Sequence, residues 1–159
     1  FPIALLFLYS VIKIIPFHKW FPNVSWKQIE RALLLVGVLG AFAANSTGEL
    51  AEHLVRPDRQ LVEMHSLFAA LSTWFYGLLL AGEILYFLTP FIASKLPIAP
   101  LNKLLSFVQK ILQDNMLSKV LAVLGIIAIS VTGLLGGVMV YGVSADPIAG
   151  IVLRILGIN

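Results

Sequence analysis

Glu49, Glu52, His53, Glu63 and His65 gather two of the chain's three histidines and three of its eight acids into one short stretch. Imidazole nitrogens beside carboxylate oxygens are a donor set that suits zinc or iron. Two imidazoles on neighbouring helices of a bundle, His53 and His65 here, are also the usual axial ligands of a b-type haem. Glu49 and His53 stand four residues apart, so on a helix their side chains reach the same place and can share one ion. The density of carboxylates counts against haem and favours a hard or borderline metal. The plain alternative is that all five are polar groups at helix ends, solvated by water and lipid headgroups. The sequence leaves the three readings open.

Composition decides what must position these residues. Hydrophobic residues make up 59% of the 159 positions and charged residues only 12%, more apolar side chain than a soluble domain of this size can cover. Lipid is the alternative solvent. A span needs about 20 apolar residues, which leaves room for four, at about 2–17, 26–54, 60–88 and 117–141. The expected fold is all-α, a single-domain integral membrane four-helix bundle. The first apolar run ends near Ile15 and is short for a hydrocarbon core of ~30 Å, so residues ahead of Phe1 are expected to complete it. It does not read as a secretory signal, because no basic residue precedes it and no small-residue cleavage site follows.

The connections carry their own signals. Ser25 with Gln28 forms a capping box for the second helix, Arg56-Pro57-Asp58 breaks the chain, and Pro90 is expected to close the third helix. Over 101–113, Leu101, Leu104, Leu105, Val108 and Leu112 alternate with Lys103 and Lys110, the pattern of a helix lying on a membrane surface; the other reading is an extension of the last span. Asp146-Pro147 opens a short apolar tail, expected as a further interfacial helix. Eight of the eleven basic residues (Lys13, Lys19, Lys27, Arg31, Lys95, Lys103, Lys110 and Lys119) fall in the first and third connections or at their edges. The second connection is acidic. By the positive-inside rule the basic connections are cytoplasmic, and both termini and the acidic connection face out. His18, beside Lys19 and Trp20, reads as an interfacial anchor. The modest charge of +3 is thus a topology signal, and nucleic-acid binding is not expected.

Two helix faces stand out. Gly37, Ala41, Asn45, Glu49 and His53 recur every four residues, so small residues that admit a neighbouring helix lead into polar ones. On the third helix Ser72, Tyr76 and Glu83 each fall within roughly 20° of the His65 direction, at 100° per residue. This stripe would run from one membrane surface at His65 to near the other at Glu83. It could supply interhelical hydrogen bonds, the wall of a cofactor pocket, or a proton path. On the fourth helix Gly133 and Gly137 form a small-xxx-small pair, and with Gly136 they offer either close helix packing or room for a flat cofactor edge beside His65. Cysteine is absent, which excludes disulfides, iron–sulfur clusters and thiol nucleophiles. No phosphate loop, catalytic triad or dinucleotide fingerprint occurs, so catalytic activity of its own is not expected.

Three landmarks resemble a functionally uncharacterised family of small bacterial membrane proteins, domain-of-unknown-function 2231. They are Phe1-Pro2-Ile3-Ala4-Leu5, the Thr47-Gly48-Glu49-x-Ala51-Glu52-His53 stretch with Glu63-x-x-Ser66 around His65, and Thr132-Gly133-x-x-Gly136-Gly137 leading to Tyr141-Gly142-Val143. They span nearly the whole chain. In that family a histidine commonly precedes the Phe-Pro-Ile opening. The resemblance implies four transmembrane helices, with the start of the first helix, the acidic hairpin and the glycine-rich end on one face.

The expected protein is a subunit of a bacterial inner membrane whose outer-face site, centred on His53 and His65, binds haem b or a divalent metal and assists electron transfer. The alternative is a structural or accessory subunit, with no cofactor of its own, associating with other membrane subunits or with itself. A third possibility is a small transporter or proton conductor working through Ser72, Tyr76 and Glu83.

Overall fold

The structure, a computed structural model, describes residues 1–55, 58–96 and 98–158, without the side chains of 49–55 and 145. Every regular element among the described residues is a helix, with no strand among them. The helices are α1 (Pro2–Ile14), α2 (Trp26–Val55), α3 (Arg59–Lys95), α4 (Ala99–Leu112), α5 (Asn115–Tyr141) and α6 (Ala149–Ile155), with 3-10 turns at Phe17–Lys19 and Val143–Ala145. Three are long and apolar enough to cross a membrane: Trp26–Gly48 within α2, then α3 and α5. α1 is a shorter apolar helix, roughly 20 Å long at 1.5 Å per residue.

Local chemistry sets the ends. Oδ1 of Asp58 accepts from the amides of Gln60 and Leu61 at 2.9 and 3.2 Å, capping α3. Oδ1 of Asp114 accepts from the Leu117 amide at 2.9 Å and caps α5. Each satisfies amides that the first helical turn leaves without a partner. Gly142, at φ +81°, turns the chain out of α5 through a conformation that costs a side-chain-bearing residue more. The chain then returns α6 onto α5.

Pro90 does not close α3. The helix continues through it to Lys95. An interior proline removes one amide donor and costs about 3 kcal/mol; packing of α4 back along α3 offsets that cost. The α4 end reaches Gly82, where an added Cβ would stand 3.1 Å from the Leu112 Cβ and 3.3 Å from its carbonyl oxygen. The tail also differs from a helix lying wholly on a surface. Ala149 and Leu153, one turn apart on α6, are buried with Leu135 and Val138 of α5, while Ile148, Ile151 and Ile155 are exposed.

α1 lies against α2 and α5, and α3 lies against α5 and α2. Two glycines of α2 admit α1, Gly37 of the four-residue series and Gly40 outside it. An added Cβ on Gly37 would come within 2.6 Å of Leu6 Cδ2, and one on Gly40 within 3.1 Å of Pro2 Cβ. Leu6, Tyr9, Leu34, Tyr76 and Leu121 form the centre of one apolar cluster. A second, around Leu135, Val138 and Leu153, closes the end near the start of α3.

Candidate functional site

His65 sits two turns into α3, after the Asp58 cap, and is half-buried against α5. Its Nδ1 lies 3.0 Å from the Thr132 carbonyl oxygen. A carbonyl only accepts, so Nδ1 carries the hydrogen and donates it, and the neutral ring keeps its free lone pair on Nε2. Gly136 makes the approach possible, since a Cβ there would stand 3.3 Å from His65 Cε1. The space over Gly136 is therefore taken by the imidazole itself. Thr132 Oγ1 donates to the Ala128 carbonyl at 2.9 Å, within its own helix.

The structure does not bring Glu63 to His65. Residues two apart on a helix point about 200° away from each other; Glu63 is exposed and accepts from Arg59 Nε at 2.8 Å. The side chains of Glu49, Glu52 and His53 lie outside the described residues. Among the described residues, no three histidine or acidic side chains come together in a metal-sized group. Among the described residues nothing lies within 4 Å of where a Gly137 Cβ would be, whereas Gly133 meets Ile3 of α1 and Gly136 meets His65 of α3. At 100° per residue Gly133 and Gly137 share a bearing to within about 40°, while Gly136 is turned about 60° from Gly133 toward α3.

The polar stripe of α3 is resolved into separate bonds. Ser72 is buried and donates to the Ala69 carbonyl of its own helix at 2.8 Å. The Tyr76 hydroxyl lies 2.8 Å from Ser10 Oγ of α1, both side chains fully buried. The ring of Tyr76 lies against Gly125 of α5, and the Tyr9 ring meets it edge to face at 6.1 Å. Asn45 of α2 donates to Thr73 Oγ1 at 3.3 Å, one further tie between α2 and α3.

Glu83 anchors a cluster that the sequence reading missed. Its two oxygens accept from Lys27 Nζ at 2.6 Å and Arg31 Nε at 2.8 Å. The Arg31 guanidinium also lies over the rings of Tyr86 and Phe87, 5.1 and 4.7 Å from their centroids. Lys13 meets Glu30 at 3.5 Å. In the sequence Lys13, Lys27 and Arg31 stand out only as orientation charges. The available signal was the pair Lys27 and Arg31, four apart on α2 and able to converge on one acid.

These features define the class: the described residues form an all-helical fold, with three helices among them suited by length and composition to a membrane. Comparison with protein-family models, curated proteins and solved structures finds no match to this chain.

Proposed function

We propose that this chain is a four-helix integral membrane subunit of a bacterial inner membrane that holds haem b or a divalent metal through His65 and assists electron transfer. The observation that carries the reading is the bond from His65 Nδ1 to the Thr132 carbonyl. Ligating histidines characteristically donate their other ring nitrogen to a carbonyl or carboxylate, which holds the ring still and leaves the second nitrogen basic. His65 meets that requirement. Nε2 would be its ligating atom, with His53, Glu49 and Glu52 as the remaining donors. Haem or a redox metal would supply a one-electron couple; the chain's part is to orient the imidazole and hold its Nδ1 proton.

Membrane placement is supported by side chains that water would disfavour. Leu39, Phe42, Trp74 and Ile127 are each more than half exposed in mid-helix. His65 and Glu83 are 18 residues apart on one helix, roughly 27 Å, against a hydrocarbon core of about 30 Å. Polar groups therefore collect at two levels one bilayer apart. In this reading the three sequence landmarks mark kinship with the domain-of-unknown-function 2231 family, α4 lies at the cytoplasmic surface, and both termini face out.

An absorption spectrum and metal analysis of the purified protein test the cofactor. The expected result is a Soret band or stoichiometric metal that His65→Ala abolishes while helical content persists. Wild-type protein with neither, when expressed with haem precursor and metals supplied, overturns the proposal. One observation favours the accessory-subunit reading as well. Gly77 and Gly137 leave open surface, with nothing within 4 Å of an added Cβ, where a helix of another subunit could approach closely. Mild-detergent purification as a lone, partner-free species counts against that second reading.

A further inference from the structure

A cleft of about 90 Å³ lies at the Glu83 end, lined among others by Tyr9, Lys13, Lys27, Glu83, Gln113 and Ser118. Volume limits its occupant. Pockets for drug-sized ligands and cofactors run from about 300 Å³ upward, while a water takes about 30 Å³. The cleft therefore has room for one small polar group and none for a haem or nucleotide. The lining decides the sign of that group. Two ammoniums and the Tyr9 hydroxyl offer donors, and the Gln113 amide keeps one hydrogen beyond its bond to the Gly82 carbonyl, while the Ser118 hydroxyl is spent on the Asn115 carbonyl. Glu83 is the one carboxylate of the lining, and both its oxygens already accept from Lys27 and Arg31. Each ammonium has three hydrogens, and Lys13 commits to Glu30 only at 3.5 Å. Counting Lys13, Lys27 and Arg31 against Glu30 and Glu83 leaves a net charge of +1. A cation would face two ammoniums here; a tetrahedral oxyanion would face donors.

The surroundings point to where such an oxyanion comes from. The connection between Lys13 and Lys27 holds a cluster of aromatic rings, with Phe17 edge-on to Trp20 at 5.7 Å and stacked on Trp26 at 5.3 Å. Trp20 and Phe21 are more than half exposed. Exposed aromatic rings beside lysines are the signature of the headgroup level. Lys103, Lys110 and Lys119, on either side of Gln113 in sequence, are exposed too. Along α4 the exposed apolar residues Leu104, Phe107 and Ile111 adjoin these lysines, as on a helix whose apolar edge dips below the headgroups.

We propose that this cleft binds the phosphate of an anionic phospholipid from the adjacent leaflet, with Lys13 and Lys27 as the cations that hold it. The proposal shares the membrane placement of the functional reading and is independent of any ligand at His65. Free inorganic phosphate has the same chemistry, so the test separates the two.

The full-length protein is reconstituted in equimolar phosphatidylglycerol and phosphatidylcholine, extracted in mild detergent, and its retained lipids counted by native mass spectrometry. The expected result is retention of phosphatidylglycerol over phosphatidylcholine by about tenfold or more, from two cations near the headgroup. Lys13→Gln should remove that preference and Lys13→Arg should keep it, with thermal melts showing that both variants fold. Equal retention of the two lipids by wild type, or an undiminished preference in folded Lys13→Gln, overturns the proposal. Stabilisation by millimolar inorganic phosphate without any lipid preference assigns the cleft to the free anion and overturns the lipid source. A cofactor missing from His65 would leave all these outcomes unchanged.

Discussion

Tyr76 carries more of the core than any other polar residue of α3. It is fully buried, its hydroxyl is matched by Ser10, and Gly125 is the space its ring occupies. Tyr76→Phe leaves Ser10 Oγ buried without that partner. Interhelical bonds of this type are worth about 0.6 kcal/mol on average and at most about 1.7, so the loss should be about 1 kcal/mol. Ser10→Ala should cost a similar amount, and the double variant no more than the larger single loss, because both remove one bond. Reversible unfolding in detergent measures the cycle; additive losses would show that the two hydroxyls act separately. Gly125→Ala should be worse. Its Cβ would stand 2.8 Å from Tyr76 Cζ and 3.0 Å from Cε2, and a rigid ring held on its far side cannot yield cheaply. Overpacking of this kind costs about 1–3 kcal/mol, so its melting temperature should fall below that of Tyr76→Phe.

At the scale of the elements, α4 depends on one close approach. It has no fully buried residue, and its end meets α3 where Gly82 has no side chain. Gly82→Val should push Leu112 outward and free the 99–113 segment for limited proteolysis, and should lower the melting temperature as well, because the α4 packing that offsets Pro90 is weakened. Unchanged proteolysis would show that α4 is held elsewhere. The helices themselves were legible from apolar run length and their caps were not: Asp58 and Asp114 cap α3 and α5, whereas the expected Ser25–Gln28 box is replaced by amides of α2 donating to the Ser25 carbonyl. Period also placed His65, Ser72, Tyr76 and Glu83 on one face of α3. Their partners were not legible. Thr132 and Ser10 lie 67 and 66 residues from theirs, and which carbonyl or hydroxyl a stripe meets depends on the rotation and depth of another helix. Pro90 misled for a related reason: local propensity disfavours a helix there, and the returning α4 outweighs it. Gly133 and Gly136 meet different helices because α5 packs against both α1 and α3, a placement that sequence proximity does not carry. The Lys27–Glu83–Arg31 cluster was missed because the basic residues were counted only as orientation charges.

For the whole molecule, the decisive question is whether the two polar levels face two aqueous compartments. The chain lacks cysteine, so single cysteines can be introduced into an otherwise silent background. His18 and Lys110 are exposed at the basic end, and Arg59 and Ser144 at the other. If basic connections stay inside, a membrane-impermeant maleimide applied to intact spheroplasts should label Arg59→Cys and Ser144→Cys. His18→Cys and Lys110→Cys should react only after the membrane is opened. The prediction uses exposed residues, so failure to label an outer site cannot be blamed on burial. A reversed pattern would place His65 on the cytoplasmic side and the phosphate-sized cleft outside, exchanging the compartments that each would serve. Labelling of all four sites in intact spheroplasts would mean that no apolar slab separates them. In that case the exposed Leu39, Phe42, Trp74 and Ile127 would need another protein, instead of lipid, to cover them.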